Sequence, residues 1–454
     1  MNIIVVGCGK VGKTLAAKLN SEGHNVTMVD QDGAKVKSFV SKYDIMGVVG
    51  NCATHTTLEE AGIKKADLMI AVTGSDELNM LSCVIANKYE GTRTIARVRD
   101  HAYFDDAAYL RDELGLALII NPEYNTAKEI ASILNFPSAI SIEPFFGGKV
   151  EILKFKLPED NRLVGMTVKE AASAFKLKVL IAVVERGDDV FIPDGDFAFE
   201  ERDIISIVTT PRTAITFFKK IGVDTEAARS VMILGADQAA YYLADLLDGS
   251  GMDVKVVDKD YDTCVRFANE FEYATVINAD PADKDVLFEE GVSRADALVA
   301  FTDKDEENIL LSLFAKNAGN KKVITRIERV DYDGIIDNFD IDSIVYPKNT
   351  TSDIVTRYVR GMMGSRGGNM DALYNLIPGV VEVYEFKITE ASALVGTALM
   401  QLNGKLKSGV LIAAIRRGGS IILPRGGDSI LVGDSVIVVA KELSLKHITD
   451  ILKR

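Results

Sequence analysis

With 454 residues, 47% hydrophobic and 26% charged, the chain has the make-up of an ordinary globular protein, enough for about three domains of ~150 residues. A net charge of −14 opposes non-specific association with nucleic acid or an anionic lipid surface. No apolar run approaches the ~18 residues of a membrane helix, and no basic segment followed by a signal-type apolar stretch opens the chain, so the sequence predicts a cytosolic protein that reaches a membrane only through a partner.

Residues 3–6 are apolar and mostly β-branched, as in a buried parallel strand, and run directly into Gly7-Cys8-Gly9-Lys10-Val11-Gly12. A helix follows, with apolar positions at Val11, Leu15 and Leu19, then a second strand over 26–29 that ends in Asp30. Gly7 permits the tight turn, Gly9 lets the backbone approach a pyrophosphate, and Gly12 lets helix and strand pack closely. The helix N-terminus turns unpaired N–H groups toward the phosphates. Asp30 stands 18 residues past Gly12, where a carboxylate that accepts ribose hydroxyls is expected. Strand, glycines, helix and acid in this order predict a dinucleotide or adenine-nucleotide site.

The alternation continues with strands over 45–49, 67–72, 94–98 and 117–120, and helices over 58–61, 77–88, 103–114 and after Asn121-Pro122. This predicts an α/β fold with a doubly wound parallel sheet, whose ligands sit outside the carboxyl ends of the strands. The Gly7 to Gly12 loop, Asp30, Asn51 and Thr73 fall at such ends and converge on one crevice. Thr73-Gly74-Ser75-Asp76 reads equally as a helix N-cap or as a further nucleotide contact. Arg97 and Arg99, two apart and read as strand, share a face and reach a phosphate, a neighbouring subunit or an ordinary ion-pair partner.

From 150 to 210 the pattern changes to strands over 151–157, 179–185, 189–192 and 203–208 with one helix over 167–175, a small α+β module. Its acidic turn, Pro193-Asp194-Gly195-Asp196, lacks the ligand spacing of a calcium loop and reads as a turn. Cys8, Cys52, Cys83 and Cys264 show no CxxC spacing, and His24, His55, His101 and His447 are scattered, so no disulfide framework and no metal site are predicted.

Then the opening returns. Gly235 and Asp258 answer Gly7 and Asp30 at an offset of 228; Thr302, Asn308 and Arg326 answer Thr73, Asn79 and Arg97 at 229; Gly396, Pro424 and Asp434 answer Gly165, Pro193 and Asp203 at 231. Near-constant offsets over such distances identify a tandem duplication of a two-part unit. Four domains are expected: 1–138 and 227–366 as nucleotide-type sheets, 139–226 and 367–454 as small modules, with the Gly-rich stretch over 361–368 as the last join. The copies are unequal. Asp237 stands in the place of Gly9 and Ala240 in that of Gly12. A side chain at the middle position blocks close backbone approach, and a carboxylate there repels a pyrophosphate. The second sheet is expected to have lost ordinary phosphate binding and to serve assembly or a different ligand, for which Gly235, Asp258 and Thr302 would be the contacts.

These residues resemble the TrkA family, peripheral NAD-binding subunits of Trk potassium uptake systems built from tandem RCK (KTN) domains. The likeness covers essentially the whole chain and rests on IIVVGCGKVG, on VTGSDELN with its partner FTDKDEEN, on PDGDFAFEERD with PRGGDSILVGD, and on the double copy. The resemblance implies a ring of several subunits, a homo-oligomer such as a dimer or tetramer, on the inner face of the membrane. It would dock on an integral-membrane potassium-translocating subunit of TrkH/TrkG type and alter its gating according to bound NAD(H) or ATP/ADP. Carried over residue by residue, the first site would use Gly7, Cys8, Gly9, Lys10, Val11, Gly12, Asp30, Asn51, Cys52, Thr73, Gly74 and Arg97, with no catalytic residue. Two other readings remain: an NAD-dependent oxidoreductase, which needs a general acid or base beside the nicotinamide that the small modules do not recognisably offer, and an RCK-type regulator of a different cation transporter.

Overall fold

Six parallel strands build the first sheet in the order β3-β2-β1-β4-β5-β6, from β1 (Asn2–Val6), β2 (Asn25–Asp30), β3 (Met46–Val49), β4 (Leu68–Ala71), β5 (Arg93–Arg97) and β6 (Leu118–Ile120). The structure of the chain, a computed structural model, describes residues 1–176, 178–223, 225–328, 339, 341–364, 370–377, 379–389, 394–402, 404–442, 445 and 447–453. The order reverses at β1, which pairs in parallel with both β2 and β4, so the crevice opens beyond the carboxyl ends of β1 and β4.

An antiparallel sheet follows, ordered β10-β9-β11-β8-β7, from β7 (Ser141–Phe145), β8 (Val150–Lys156), β9 (Leu180–Arg186), β10 (Asp189–Phe191) and β11 (Ile204–Thr209). The second copy repeats both sheets. The parallel one is ordered β14-β13-β12-β15-β16-β17, from β12 (Ser230–Leu234), β13 (Asp253–Asp258), β14 (Thr275–Asn278), β15 (Ala297–Ala300), β16 (Lys322–Arg326) and β17 (Ser343–Val345). The antiparallel one is ordered β18-β19-β22-β20-β21, from β18 (Met370–Ile377), β19 (Val381–Lys387), β20 (Val410–Arg417), β21 (Ser420–Ile422) and β22 (Ser435–Lys441). Asp203 and Asp434, which recur in the sequence, are buried, and each takes a two-pronged pairing from the arginine at the equivalent place, Arg186 at 2.8 and 2.8 Å and Arg417 at 2.9 and 2.8 Å.

The copies interlock by exchanging helices. Helix Pro122–Asn135, which leaves the first sheet, buries Ala127, Ile130, Ile133 and Leu134 in one core with Val231, Ile233, Leu243 and Leu247 of the second. In return, helix Pro347–Gly364 sets Val355, Val359 and Met362 against Leu15 and Leu19 of the first. Each buried Leu, Ile or Val contributes roughly 1.5–3 kcal/mol, so neither sheet has a complete core without the other copy's helix. Arg360 ties this contact off with two hydrogen bonds to Glu22, at 2.9 and 2.7 Å. The antiparallel sheets also meet face to face: Phe145, Ile152 and Val208 share a core with Val381, Val383 and Val439.

Three sequence expectations change. The glycine-rich join is helical at its start, because helix Pro347–Gly364 runs through Gly361; the remainder, 365–368, lies outside the described residues. Arg99 is not on a strand, since β5 ends at Arg97. The first small module gains an edge strand, β7, and a second helix, Pro211–Ile221, whose Ala214, Phe217, Phe218 and Ile221 are buried.

At the junction of these elements, Glu129 on helix Pro122–Asn135 and Glu143 on β7 lie in each other's field, with Asp353 and Arg357 facing them from helix Pro347–Gly364. Burial, with Glu143 adding and the hydrogen bond from Thr350 opposing, pushes Glu129 up to about 8; burial, opposed by Arg357, pushes Glu143 up to about 7. Both groups hold their proton more tightly folded than unfolded. Their contribution to stability is therefore complete below the ordinary carboxylate range and is lost as pH rises through 7 to 8. Thermal melts of the full chain should show a midpoint that falls from pH 5.5 to 8.5, and Glu129→Gln should flatten that fall; superimposable pH profiles for the two proteins would contradict it.

Candidate functional site

The turn after β1 is dictated by contact. Gly7 has φ +104°, and a Cβ there would stand 2.8 Å from the Val72 carbonyl carbon; a Cβ on Gly12 would stand 1.8 Å from the Gly7 carbonyl oxygen. Both glycines are therefore required by the packing of strand, turn and helix Lys10–Ser21. Gly9 is different. It is the N-cap of that helix, its φ of −81° suits any residue, and a Cβ there would meet no protein atom within 4 Å. The open space above Gly9 faces a cavity of about 750 Å³.

That cavity is lined by Gly7, Gly9, Lys10, Val11, Asp30, Cys52, Thr73, Gly74 and Arg97, nine of the twelve first-site residues expected from the sequence. Three are not among its lining. Cys8 is buried, with its Sγ 3.5 Å from the Lys35 carbonyl oxygen; Gly12 lies under the turn; Asn51 is exposed and accepts a hydrogen bond from the Ala53 N–H at 2.9 Å. Asp30 braces the loop: its two oxygens accept from the Cys8 N–H at 2.5 Å and the Asp32 N–H at 2.9 Å, and each keeps capacity for a further donor. Thr73 gives its N–H and hydroxyl to Asn79 Oδ1, each at 2.7 Å, while Ser75 caps the next helix by accepting from the Leu78 N–H. Arg97 donates from Nη2 to the Thr73 carbonyl oxygen, and its Nε is buried without a hydrogen-bond partner among the described residues. Burial, then the neighbouring Arg99, holds the Arg97 guanidinium below its usual range. Arg99 is taken up by the Gly74 carbonyl at 2.8 Å and by Asp76.

The other wall comes from the second copy, which sequence reasoning did not place here: Asp237, Gln238, Asp303, Arg326 and Glu328 line the same cavity. Lys10 and Glu328 face each other across it at 3.7 Å. The two copies are also tied directly to each other: Asn121 donates to the Tyr242 hydroxyl at 2.9 Å and Tyr242 donates to the Arg99 carbonyl oxygen at 2.7 Å. Gly235, Asp258 and Thr302, the contacts expected for a second ligand, are not among the lining residues. Asp258 instead repeats the bracing role of Asp30, accepting from the Ala236 N–H at 2.7 Å and the Asp260 N–H at 2.8 Å.

Asp237 corrects a sequence expectation. Its backbone matches Gly9 within a few degrees, at φ −79° and ψ −173° against −81° and −170°. Its carboxylate is not a bare repulsive charge: Oδ1 accepts from the Ala239 and Ala240 N–H groups, each at 3.0 Å, and Oδ2 pairs with Arg326, the counterpart of Arg97. Burial works against the charge of Arg326, and Asp237, together with Glu328 and Asp303, more than offsets it. The second copy thus carries its own anion at a helix N-terminus beside a buried arginine. In the first copy, helix Lys10–Ser21 has no side-chain cap. The geometry there suits an external anion at Gly9, and the donor set fits the phosphates of a nucleotide: first-turn N–H groups, Lys10 and Arg97, with Asp30 beyond them.

Residues 3–122 and 231–347 match the TrkA-N domain, and residues 152–222 and 383–453 match the TrkA-C domain. Among curated relatives, Trk system potassium uptake protein TrkA homolog 2 of Methanosarcina mazei is 30% identical over 461 residues, covering 100% of both chains. Trk system potassium uptake protein TrkA homolog 1 of the same organism is 32% identical over 446 residues, covering 96% of this chain and 97% of its own. The solved structure of the GsuK channel bound to NAD is similar with a TM-score of 0.64 and 16% identity, over 97% of this chain and 76% of that one. GsuK bound to ADP is similar with a TM-score of 0.51 and 14% identity, over 79% and 69%. The likeness to both structures is one of fold.

Removing the Asp237 carboxylate strips a helix of its cap and leaves Arg326, whose side chain is 8% exposed, without its charge partner. By the usual cost of breaking such a pair and losing a cap, Asp237→Ala should destabilise the chain by about 3 kcal/mol in urea unfolding, with Asp237→Asn, which keeps a capping oxygen, losing less. A loss below ~1 kcal/mol for the alanine variant would contradict the pairing.

Proposed function

This chain belongs to the TrkA family, and on that premise we propose that it is the nucleotide-sensing regulatory subunit of a Trk-type potassium uptake system. It binds NAD(H) or ATP/ADP in the N-terminal crevice. It stays on the cytoplasmic side, assembles into a homo-oligomeric ring and gates an integral-membrane potassium-translocating subunit. Among the described residues no helix is long and apolar enough to cross a membrane, so the translocating path is assigned to that partner.

The observation that carries the binding half of this reading is the contrast at one backbone position. Asp237 brings an anion to Arg326 and to a helix N-terminus, while Gly9 brings none to Arg97 and to the matching helix. The regulatory half follows from where the crevice lies. Its walls come from both copies, so a ligand that fits one spacing of the walls better than another shifts the balance between them by its difference in affinity, with no reaction needed. The names of the full-length relatives supply the potassium system, and the GsuK structures, bound to NAD and to ADP, supply precedents for ligands of this fold.

Gly9→Asp would copy the second cradle into the first. Nothing in the protein obstructs the new side chain, and it gains a helix cap of ~1 kcal/mol, so the melting temperature should hold or rise while nucleotide binding is lost. Calorimetric titration with NADH, ADP and ATP, beside a thermal melt, reads both. Undiminished affinity in a folded Gly9→Asp protein would overturn the site.

A further inference from the structure

A second cavity, of about 320 Å³, shares no residue with the N-terminal crevice. It lies in the first antiparallel module, between the segment that follows helix Val168–Phe175 and one face of helix Pro211–Ile221. Lys176, Lys178, Arg212 and Lys220 line it, together with Thr213, Thr216 and Phe217. Four cations and no carboxylate make a local excess of positive charge in a chain whose net charge is −14. Cations gathered round one hollow repel each other, and an anion between them removes the repulsion. Lys220 has a partner within the fold: its Nζ donates to the carbonyl oxygens of Phe175 at 2.8 Å and Lys176 at 3.4 Å, closing the end of helix Val168–Phe175. Lys176, Lys178 and Arg212 form no ion pair among the described residues.

The duplicated module shows the same place closed and stripped of charge. At the module's offset of 231, Gly409, Leu443 and Ile451 stand for Lys178, Arg212 and Lys220, and only Lys407 keeps the charge of Lys176. There the main chain bridges the gap: the Lys407 N–H donates to the Ile451 carbonyl oxygen and the Lys453 N–H to that of Lys405, each at 2.8 Å, with Leu406 opposite Leu452. Among the described residues of the first module no main-chain hydrogen bond crosses the equivalent gap, and the Lys220 side chain spans it instead. Charges needed to fold the module would be present in both copies. These accompany the opening and vanish where it is closed.

The donor set gives the class of ligand. Lysine and arginine heads only donate, and their positive charges ask for an anion rich in acceptor oxygens. A carboxylate brings two oxygens and a single charge, whereas a phosphate group brings three and up to two charges, and so engages more of the set. A cavity of this size stands at the small end of ligand sites, of roughly 300–1,000 Å³, and suits a compact ligand. We propose that this cavity is a second anion site, independent of the N-terminal crevice, in which Lys176, Lys178 and Arg212 bind a phosphate-bearing group. The helix that forms its wall also reaches the junction of the two copies, where the Phe218 ring lies 4.8 Å from that of Phe136, the residue after helix Pro122–Asn135.

The test uses the full chain carrying Gly9→Asp, so that the N-terminal cradle does not compete, with inorganic pyrophosphate titrated by calorimetry in EDTA. Pyrophosphate should bind, more tightly than citrate, and the further pair Lys178→Gln with Arg212→Gln should weaken it at least about tenfold by removing two charged donors. Both side chains are exposed, so the melting temperature should stay unchanged. Sedimentation with phosphatidylcholine vesicles, with and without phosphatidylglycerol, distinguishes the source of the phosphate. Pyrophosphate binding without sedimentation assigns a soluble ligand. Sedimentation that needs phosphatidylglycerol, is displaced by pyrophosphate and is lost in the Lys178, Arg212 variant assigns a lipid headgroup. Absence of binding to either probe, citrate binding as tightly as pyrophosphate, or an affinity indifferent to the loss of Lys178 and Arg212 would overturn the site. Each of these results leaves the nucleotide reading of the first crevice untouched.

Discussion

The pairing of Asp237 with Arg326 is the interaction on which the reading of this molecule turns. A helix N-terminus with a buried arginine beside it is an unbalanced arrangement: first-turn N–H groups and a guanidinium face the same point, and burial penalises an uncompensated charge there. The second copy resolves the imbalance internally, with a carboxylate that caps the helix and neutralises Arg326. The first copy has the same backbone at Gly9, the same arginine at Arg97 and no carboxylate between them. Duplication has placed a filled cradle and an open one in a single chain, each serving as the other's control.

The helix exchange gives the contrast its consequence. Because helix Pro122–Asn135 completes the core of the second sheet and helix Pro347–Gly364 that of the first, the two sheets cannot separate without breaking both cores. The Asn121, Tyr242 and Arg99 hydrogen bonds then hold the carboxyl end of one sheet against the first helix of the other. A ligand in the open cradle therefore touches both copies, and in the proposed function small changes in wall spacing are the signal that passes to the ring. The antiparallel modules share a core of their own, which gives such a change a second rigid body to act on.

Much of this was legible in the residues, and the limits have physical causes. The turn, the helix and Asp30 could be read because glycines at positive φ or in close contact leave a local signature, and the two copies could be read because their offsets are nearly constant. The shared cavity could not, since amphipathic spacing shows that a helix buries a face without showing against which sheet. Glu123 and Glu328 carried no motif and enter the site only through that packing. β7 was missed because Pro144 interrupts it, and it survives as an edge strand, where proline is tolerated. Helix Pro211–Ile221 is rich in β-branched residues with weak helical preference and is held by the burial of Phe217 and Phe218. Gly361 reads as a breaker, yet Met362 and Arg360 anchor the helix around it.

The most direct test of the open and filled cradles is an experimental structure of the full chain saturated with NADH. The account predicts one dinucleotide per chain, its diphosphate over Gly9 at the start of helix Lys10–Ser21 beside Arg97, with Asp237 still on Arg326. A diphosphate seated against Asp237 with the Gly9 crevice bare would contradict it.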